Sequence, residues 1–151
     1  MTDIVDPSKR SRIMASIRGK DTKPELLVRS GLHKLGARFR LHRRDLPGKP
    51  DLVFPRYRVV LFVHGCFWHR HAGCKLASRP ATNEKFWAEK FQLNVDRDRR
   101  QTELLIQAGW RVFVIWECSL RNNDLTPLFS SVFSELQFGK ALYQEWPINK
   151  K

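Results

Sequence analysis

Three observations predict an α/β fold for this sequence. Two stretches, residues 59–63 (Val-Val-Leu-Phe-Val) and 110–117 with its apolar run Val112-Phe113-Val114-Ile115, are too short for helices and rich in β-branched and aromatic residues, as buried strands are. Helical stripes with recognisable starts begin near Thr22, Asn83 and Thr126. The first apolar run leads directly into residues 64–74, His-Gly-Cys-Phe-Trp-His-Arg-His-Ala-Gly-Cys, which hold three of the five histidines and two of the three cysteines. α/β proteins commonly present a site just beyond the end of a strand.

At 151 residues, one domain with a core that needs no covalent staples is expected. Net charge is +13, with Lys and Arg spread along the chain, and this points to a polyanionic partner, most simply nucleic acid. A membrane partner is disfavoured, because no apolar stretch approaches spanning length. The N-terminus carries no signal-peptide core, so a cytoplasmic location is expected. Three cysteines in a reducing compartment then argue for metal or catalytic use over disulfides.

In chain order, residues 1–20 read as a basic arm. Asp6-Pro7 can start a short helix with Ile13, Met14 and Ile17 on its apolar side. Its Lys and Arg face solvent or phosphate, and a solvated leader is the plainer alternative. Met14 reads first as a gap-filler. The main domain is expected over residues 21–138. Thr22-Lys23-Pro24-Glu25 fits a capping box, with Glu25 able to reach back to the Thr22 N–H. Leu26, Leu27, Leu32 and Leu35 make a helical stripe, and Gly36 is its stop.

Residues 38–43 alternate like a half-exposed strand, 45–50 are turn material, and 51–54 make a second strand. With the run at Val59 these form a meander that places Asp51 near the head of the central strands. An Asp after a Pro-rich turn is more often only a turn residue. A helix is expected from Asn83-Glu84 to Ala108, with Phe86, Leu93, Leu104 and Leu105 as its apolar face. Its mixed-charge middle, 94–100, reads as solvated. Thr126-Pro127 caps a last helix carrying Leu128, Phe129, Val132, Phe133 and Leu136. Residues 139–151 read as a poorly ordered tail.

Cys66, His71, Cys74 and Cys118 form a Cys3His set, three in one loop and the fourth after a strand. Four such ligands suit a structural, tetrahedral Zn²⁺ that would stiffen the loop. The alternative is three buried thiols and a surface histidine. His64 and His69 then remain, two bases of neutral range that suggest proton transfer or metal-water contacts in phosphodiester chemistry. Satisfied surface histidines are the plainer alternative. Phe67-Trp68 is either the plug of a small zinc module or a wedge for bases, and Trp87 has the same two readings.

Several blocks carry a family resemblance: Pro-Gly-Lys-Pro-Asp at 47–51, His-Gly-Cys-Phe-Trp-His at 64–69 and Phe-Trp-x-Glu-Lys at 86–90. Asn-Val-x-Arg-Asp-Arg-Arg at 94–100 and Gly-Trp-Arg-Val-x-x-x-Trp-Glu-Cys at 109–118 complete it. Over about residues 6–120 the chain resembles the very short patch repair (Vsr-type) DNA mismatch endonucleases. The resemblance implies a restriction-endonuclease-like fold, a mixed central β-sheet flanked by helices, with a structural zinc site. It implies Mg²⁺-dependent nicking of one strand of double-stranded DNA, 5′ to the T of a T:G mispair left by deamination of 5-methylcytosine. The expected setting is the bacterial cytoplasm, in a monomer, with a MutL-type repair protein as a further partner.

Residue by residue, the resemblance makes Asp51 the Mg²⁺-binding carboxylate, with the backbone carbonyl of Val63 as another ligand. His69 resembles the general base, His64 and Asp98 the partners of metal-bound water, and Glu25 a supporting group. Cys66, His71, Cys74 and Cys118 match the zinc ligands. Phe67, Trp68 and Trp87 match the aromatics that enter the base stack, and Met14 the arm residue that approaches from the opposite groove. Position 63 is Val where the family can have Thr, and Arg70 with Ala72-Gly73 stands in a loop that in other members can be richer in histidine and a residue shorter. The second acid and the lysine of the wider nuclease pattern are absent, so hydrolysis leans on histidine and metal-bound water. Two other classes fit the composition: a sequence-specific restriction-type nuclease acting on matched DNA, and a zinc-stabilised DNA-binding module without chemistry.

Overall fold

The two apolar runs pair with each other at the centre of a five-stranded sheet. The computed structural model describes residues 22–41 and 43–148; the basic arm and Met14 lie outside them. In order, the elements are α1 (Lys23–Lys34), β1 (Arg40–Leu41), β2 (Leu52–Phe54), β3 (Val59–His64), α2 (Glu84–Gln107), β4 (Arg111–Trp116), α3 (Thr126–Phe138) and β5 (Tyr143–Trp146). β1, β2 and β3 form the antiparallel meander, whereas β4 runs parallel to β3 and β5 parallel to β4. The sheet is therefore mixed, in the spatial order β1-β2-β3-β4-β5.

Alternation along the two central strands divides the core. Val59, Leu61, Phe113 and Ile115 face one way and pack with Val28 and Leu32 of α1 and Phe129, Val132 and Leu136 of α3. Val60, Phe62, Val112, Val114 and Trp116 face the other way, toward Leu105 of α2 and the loop bearing Cys66. Each fully buried aliphatic or aromatic side chain here contributes about 1.5–3 kcal/mol of burial energy. Both faces are covered, so residues 59–63 of β3 and 112–116 of β4 are apolar throughout, as buried strands require.

The helical faces differ from the expected stripes. On α1, Leu32 is buried, but Leu26, Leu27 and Leu35 are exposed, and the inward face is Glu25, Val28 and Leu32. Turning the carboxylate of Glu25 inward rotates the flanking leucines toward solvent. On α2, Phe86, Leu93 and Leu104 are exposed, while Phe91 and Leu105 are buried. The reason is that Phe91 covers the rings of the 64–74 loop, and Leu105 alone of the expected set lies over the sheet. Asp124 Oδ1 accepts the Thr126 N–H, so the carboxylate two residues upstream caps α3 in place of Thr126.

The poorly ordered tail is a clear correction. β5 lies within residues 139–151 and extends the sheet beyond β4, with Trp146 buried at 3% exposure. Arg111 anchors the connection by donating to the carbonyls of Ala141 and Glu135. Only one of the strand's four residues is buried, so no apolar run announced it.

Candidate active site and metal centre

The C-terminal end of β3 gathers the chemistry. Asp51 sits just before β2, its N–H donating to the Leu61 carbonyl at 3.1 Å. Its Oδ2 accepts the Val63 N–H at 2.7 Å. Glu25, only 2% exposed, approaches from α1 and accepts from Arg29 Nη2 at 3.1 Å, while its own N–H donates to Thr22 Oγ1 at 3.4 Å. Burial pushes the Asp51 carboxyl well above the usual carboxylate range. The neighbouring Glu25 charge raises it further, against the opposing pull of the Val63 N–H. Two carboxyl groups crowded in a buried place are stabilised by a shared proton or by a cation, so this donor pair fits a divalent ion.

One residue further on, His64 begins a second cluster. Its ring stacks on His69 at 3.9 Å between centroids and 7° between planes. His69 Nδ1 lies 2.6 Å from Asp98 Oδ2, across 29 residues of sequence. One ligand atom from each of these three residues lies within 4.8 Å of the others. Burial, then the neighbouring His69, push His64 down to about 3, so its imidazole is neutral at neutral pH. Among the described residues its Nδ1 is buried with no hydrogen-bond partner. Burial by itself would raise Asp98, but the His69 hydrogen bond and the nearby Arg97 guanidinium outweigh it and hold the carboxyl below its ordinary value.

Cys66, His71, Cys74 and Cys118 converge, with one ligand atom from each within 4.8 Å of the rest. His71 Nδ1 stands 3.7 Å from Cys66 Sγ and 3.5 Å from Cys118 Sγ. A tetrahedral ion with bonds of about 2.3 Å to sulfur and about 2.0 Å to nitrogen has S···N edges of about 3.5 Å, so the set fits such an ion. Burial pushes the Cys66 thiol up to about 12. The cluster is braced from both sides: Trp116 stacks on the His71 ring at 4.3 Å, and Glu117 Oε1 accepts the Cys66 N–H at 3.4 Å.

Between the two clusters stand the aromatics. Phe67 meets Trp68, Trp87 and Phe91 edge-on at 5.0, 6.1 and 5.2 Å, and Trp68 is 5.9 Å from Trp87. Phe67 is half-buried in this cluster, while Trp68 presents 38% of its surface. Trp68 is therefore the more open of the pair, and Phe67 is partly covered by its neighbouring rings.

Every site residue expected from the sequence, Met14 apart, therefore falls in one of four adjoining groups: the Glu25–Asp51 pair at Val63, the histidines with Asp98, the sulfur cluster, and the rings. The solvated reading of 94–100 fails at Asp98, which is half-buried against His69. Sequence reasoning missed Arg29, whose only signal is its i+4 spacing from Glu25, and Trp116 and Asn94, whose roles depend on contacts distant in sequence.

Fold and site together describe a mixed α/β protein with two places that suit cations and a histidine–aspartate pair able to move a proton. A profile of the family described as "DNA mismatch endonuclease Vsr" matches residues 2–75. The chain is 52% identical to the type II nicking enzyme V.XorIIP of Xanthomonas oryzae pv. oryzae over 120 residues, 80% of this chain and 88% of that one. It is 46% identical to the DNA mismatch endonuclease Vsr of Escherichia coli over 124 residues, 82% and 79% of the two chains. With the type II nicking enzyme V.NmeAIP of Neisseria meningitidis it shares 45% identity over 125 residues, 83% and 89%. The chain belongs to the Vsr family of DNA mismatch endonucleases. Among the described residues no helix is long and apolar enough to cross a membrane.

Proposed function

We propose that this protein is a DNA mismatch endonuclease that nicks one strand of duplex DNA on the 5′ side of the T in a T:G mispair. The observation that carries the chemistry is the 2.6 Å bond between His69 Nδ1 and Asp98. Family membership and the net charge of +13 carry the substrate. In the neutral ring a carboxylate on Nδ1 keeps the proton on that nitrogen, so Nε2 is the atom that takes a proton from an attacking water. His64, stacked beside it and neutral, offers a hydrogen-bonding nitrogen and adds no charge.

Asp51 is the proposed Mg²⁺ carboxylate, with Glu25 supporting it from α1. In β3, Leu61 turns its carbonyl toward Asp51, and strand alternation turns Val63 to the same edge. The Val63 N–H meets Asp51 there, and its carbonyl belongs to the same edge, which supports it as a further ligand. A divalent cation held there would neutralise charge developing on the phosphoryl oxygens and the leaving oxygen. Cys66, His71, Cys74 and Cys118 are the proposed holders of a structural Zn²⁺, whose fully occupied shell leaves no place for catalysis. Phe67, Trp68 and Trp87, with Met14 of the arm, are the proposed contacts to the opened base step. A T:G wobble pair stacks poorly, so opening it costs less than opening a matched step.

On this reading the fold is the restriction-endonuclease type, residues 1–20 are a DNA-binding arm, the protein acts as a monomer, and a MutL-type protein is a repair partner. The deciding experiment compares nicking of one duplex carrying T:G or C:G at the same place. Nicking of T:G alone, abolished in Asp51→Ala, is expected. Equal cutting of both duplexes would favour a restriction-type nuclease, and binding without cutting a non-catalytic module.

A further inference from the structure

The structure assigns a positioning role to Arg70, a residue of the loop that neither the metal centre nor the proton-transfer pair uses; this assignment rests on the mismatch-nicking reading above. Arg70 holds a left-handed backbone, φ 55°, between His69 and His71. Its side chain is spent on three carbonyls: Nη1 donates to Phe67 O at 3.2 Å and to Ser78 O at 3.1 Å, and Nη2 to Ala77 O at 2.9 Å. The same guanidinium lies 4.1 Å from the ring centre of Phe91 on α2 and 5.6 Å from that of Phe67.

One planar cation thus ties together three pieces of chain that have no strand or helix in common. They are the turn carrying Phe67 and Trp68, the exit of the loop after Cys74, and the N-terminal half of α2. Asn94 adds a fourth tether, its Nδ2 donating to the Trp68 carbonyl at 3.1 Å. The backbone carbonyls of both ring-bearing residues are therefore held, one from within the loop and one from the helix. Arg70 sets the height and angle at which Trp68 leaves the surface, so that the ring meets an opened base step without first having to be ordered. Lysine cannot replace it: a single ammonium lacks the fork that reaches diverging carbonyls and the flat face that covers Phe91. Arg70 acts on no reacting atom itself; it acts through Phe67 and Trp68.

The test compares wild type, Arg70→Lys and Arg70→Gln, with the Phe67→Ala/Trp68→Ala double variant as the floor. Each is measured for binding to T:G and C:G duplexes, for zinc content, and for acrylamide quenching of tryptophan fluorescence without DNA. Both Arg70 variants are expected to retain zinc and to lose about tenfold in preference for T:G, the scale of one charge-assisted hydrogen bond. Quenching in the free protein should rise as the Trp68 turn loosens, and Arg70→Lys should rescue neither property. A wild-type preference ratio in Arg70→Lys would overturn the assignment. Loss of zinc in both variants would also overturn it, since Arg70 would then be a strut of the metal loop. Should wild type itself show no preference for T:G, the mismatch-nicking reading fails, and the quenching comparison alone decides whether Arg70 positions the turn.

Discussion

Replacing Asp98 by Asn tests the proton-transfer pair at its most exposed assumption. The side chains have nearly the same shape, so the packing of α2 against the loop survives and only the charge is removed. In the protein the Asp98 carboxylate lies 2.6 Å from His69 Nδ1, and the two side chains are 20% and 24% exposed. A hydrogen bond to a charged group is worth about 1.5–3 kcal/mol and a neutral one about 1 kcal/mol, so the exchange costs roughly 0.5–2 kcal/mol. Partial exposure places the loss toward the lower end of that range. If all of it appears in the transition state, nicking slows by about 2- to 30-fold. The amide can also turn its NH₂ toward Nδ1, which moves the ring proton to Nε2 and blocks acceptance of a proton from water; this adds to the loss. Single-turnover nicking of a T:G duplex at saturating enzyme is the appropriate assay, because product release does not enter it. A fall of at least about 2-fold, with duplex affinity within about twofold of wild type, is expected. Asp98→Asn that nicks at the wild-type rate would refute the orientation of His69 by Asp98.

Further outcomes follow from the carboxyl pair and the sulfur cluster. The Asp51 carboxyl is raised by burial and by Glu25, so the folded protein binds this proton more tightly than the unfolded chain does. Its contribution to stability is greatest below the ordinary carboxylate range and declines as pH rises toward the raised folded value; Asp51→Asn should therefore raise the melting temperature of metal-free protein at neutral pH but not near pH 3. Added Mg²⁺ should stabilise wild type and leave Asp51→Asn unchanged, and equal responses of the two in a calorimetric titration would count against Asp51 as a ligand. The purified protein should contain about one zinc per chain. Its removal by a chelator should loosen the 64–74 loop and stop nicking, with no recovery on adding Mg²⁺ alone. Metal analysis of active protein that finds no zinc would contradict the Cys3His assignment.

How far the amino-acid order reaches is visible residue by residue. β3 and β4 were legible because strands covered on both faces must be apolar along their buried length, and residues 59–63 and 112–116 are such runs. The meander around Asp51 was legible from its turn residues, and the sulfur set from the spacing of Cys66, His71 and Cys74. Local chemistry decides all of these. The order of residues could not show which way α1 turns: Leu26 and Leu27 look like core, yet Val28 and Leu32 are buried and Glu25 points inward to Asp51. Nor could it show that one charged residue of 94–100 is withdrawn from solvent onto His69, that β5 finds its place only because β4 offers an open edge, or that Arg70 spans three segments. Each of these depends on groups far apart in sequence coming within a few ångströms. Such contacts leave no period or spacing along the chain, and only the packed tertiary structure determines them.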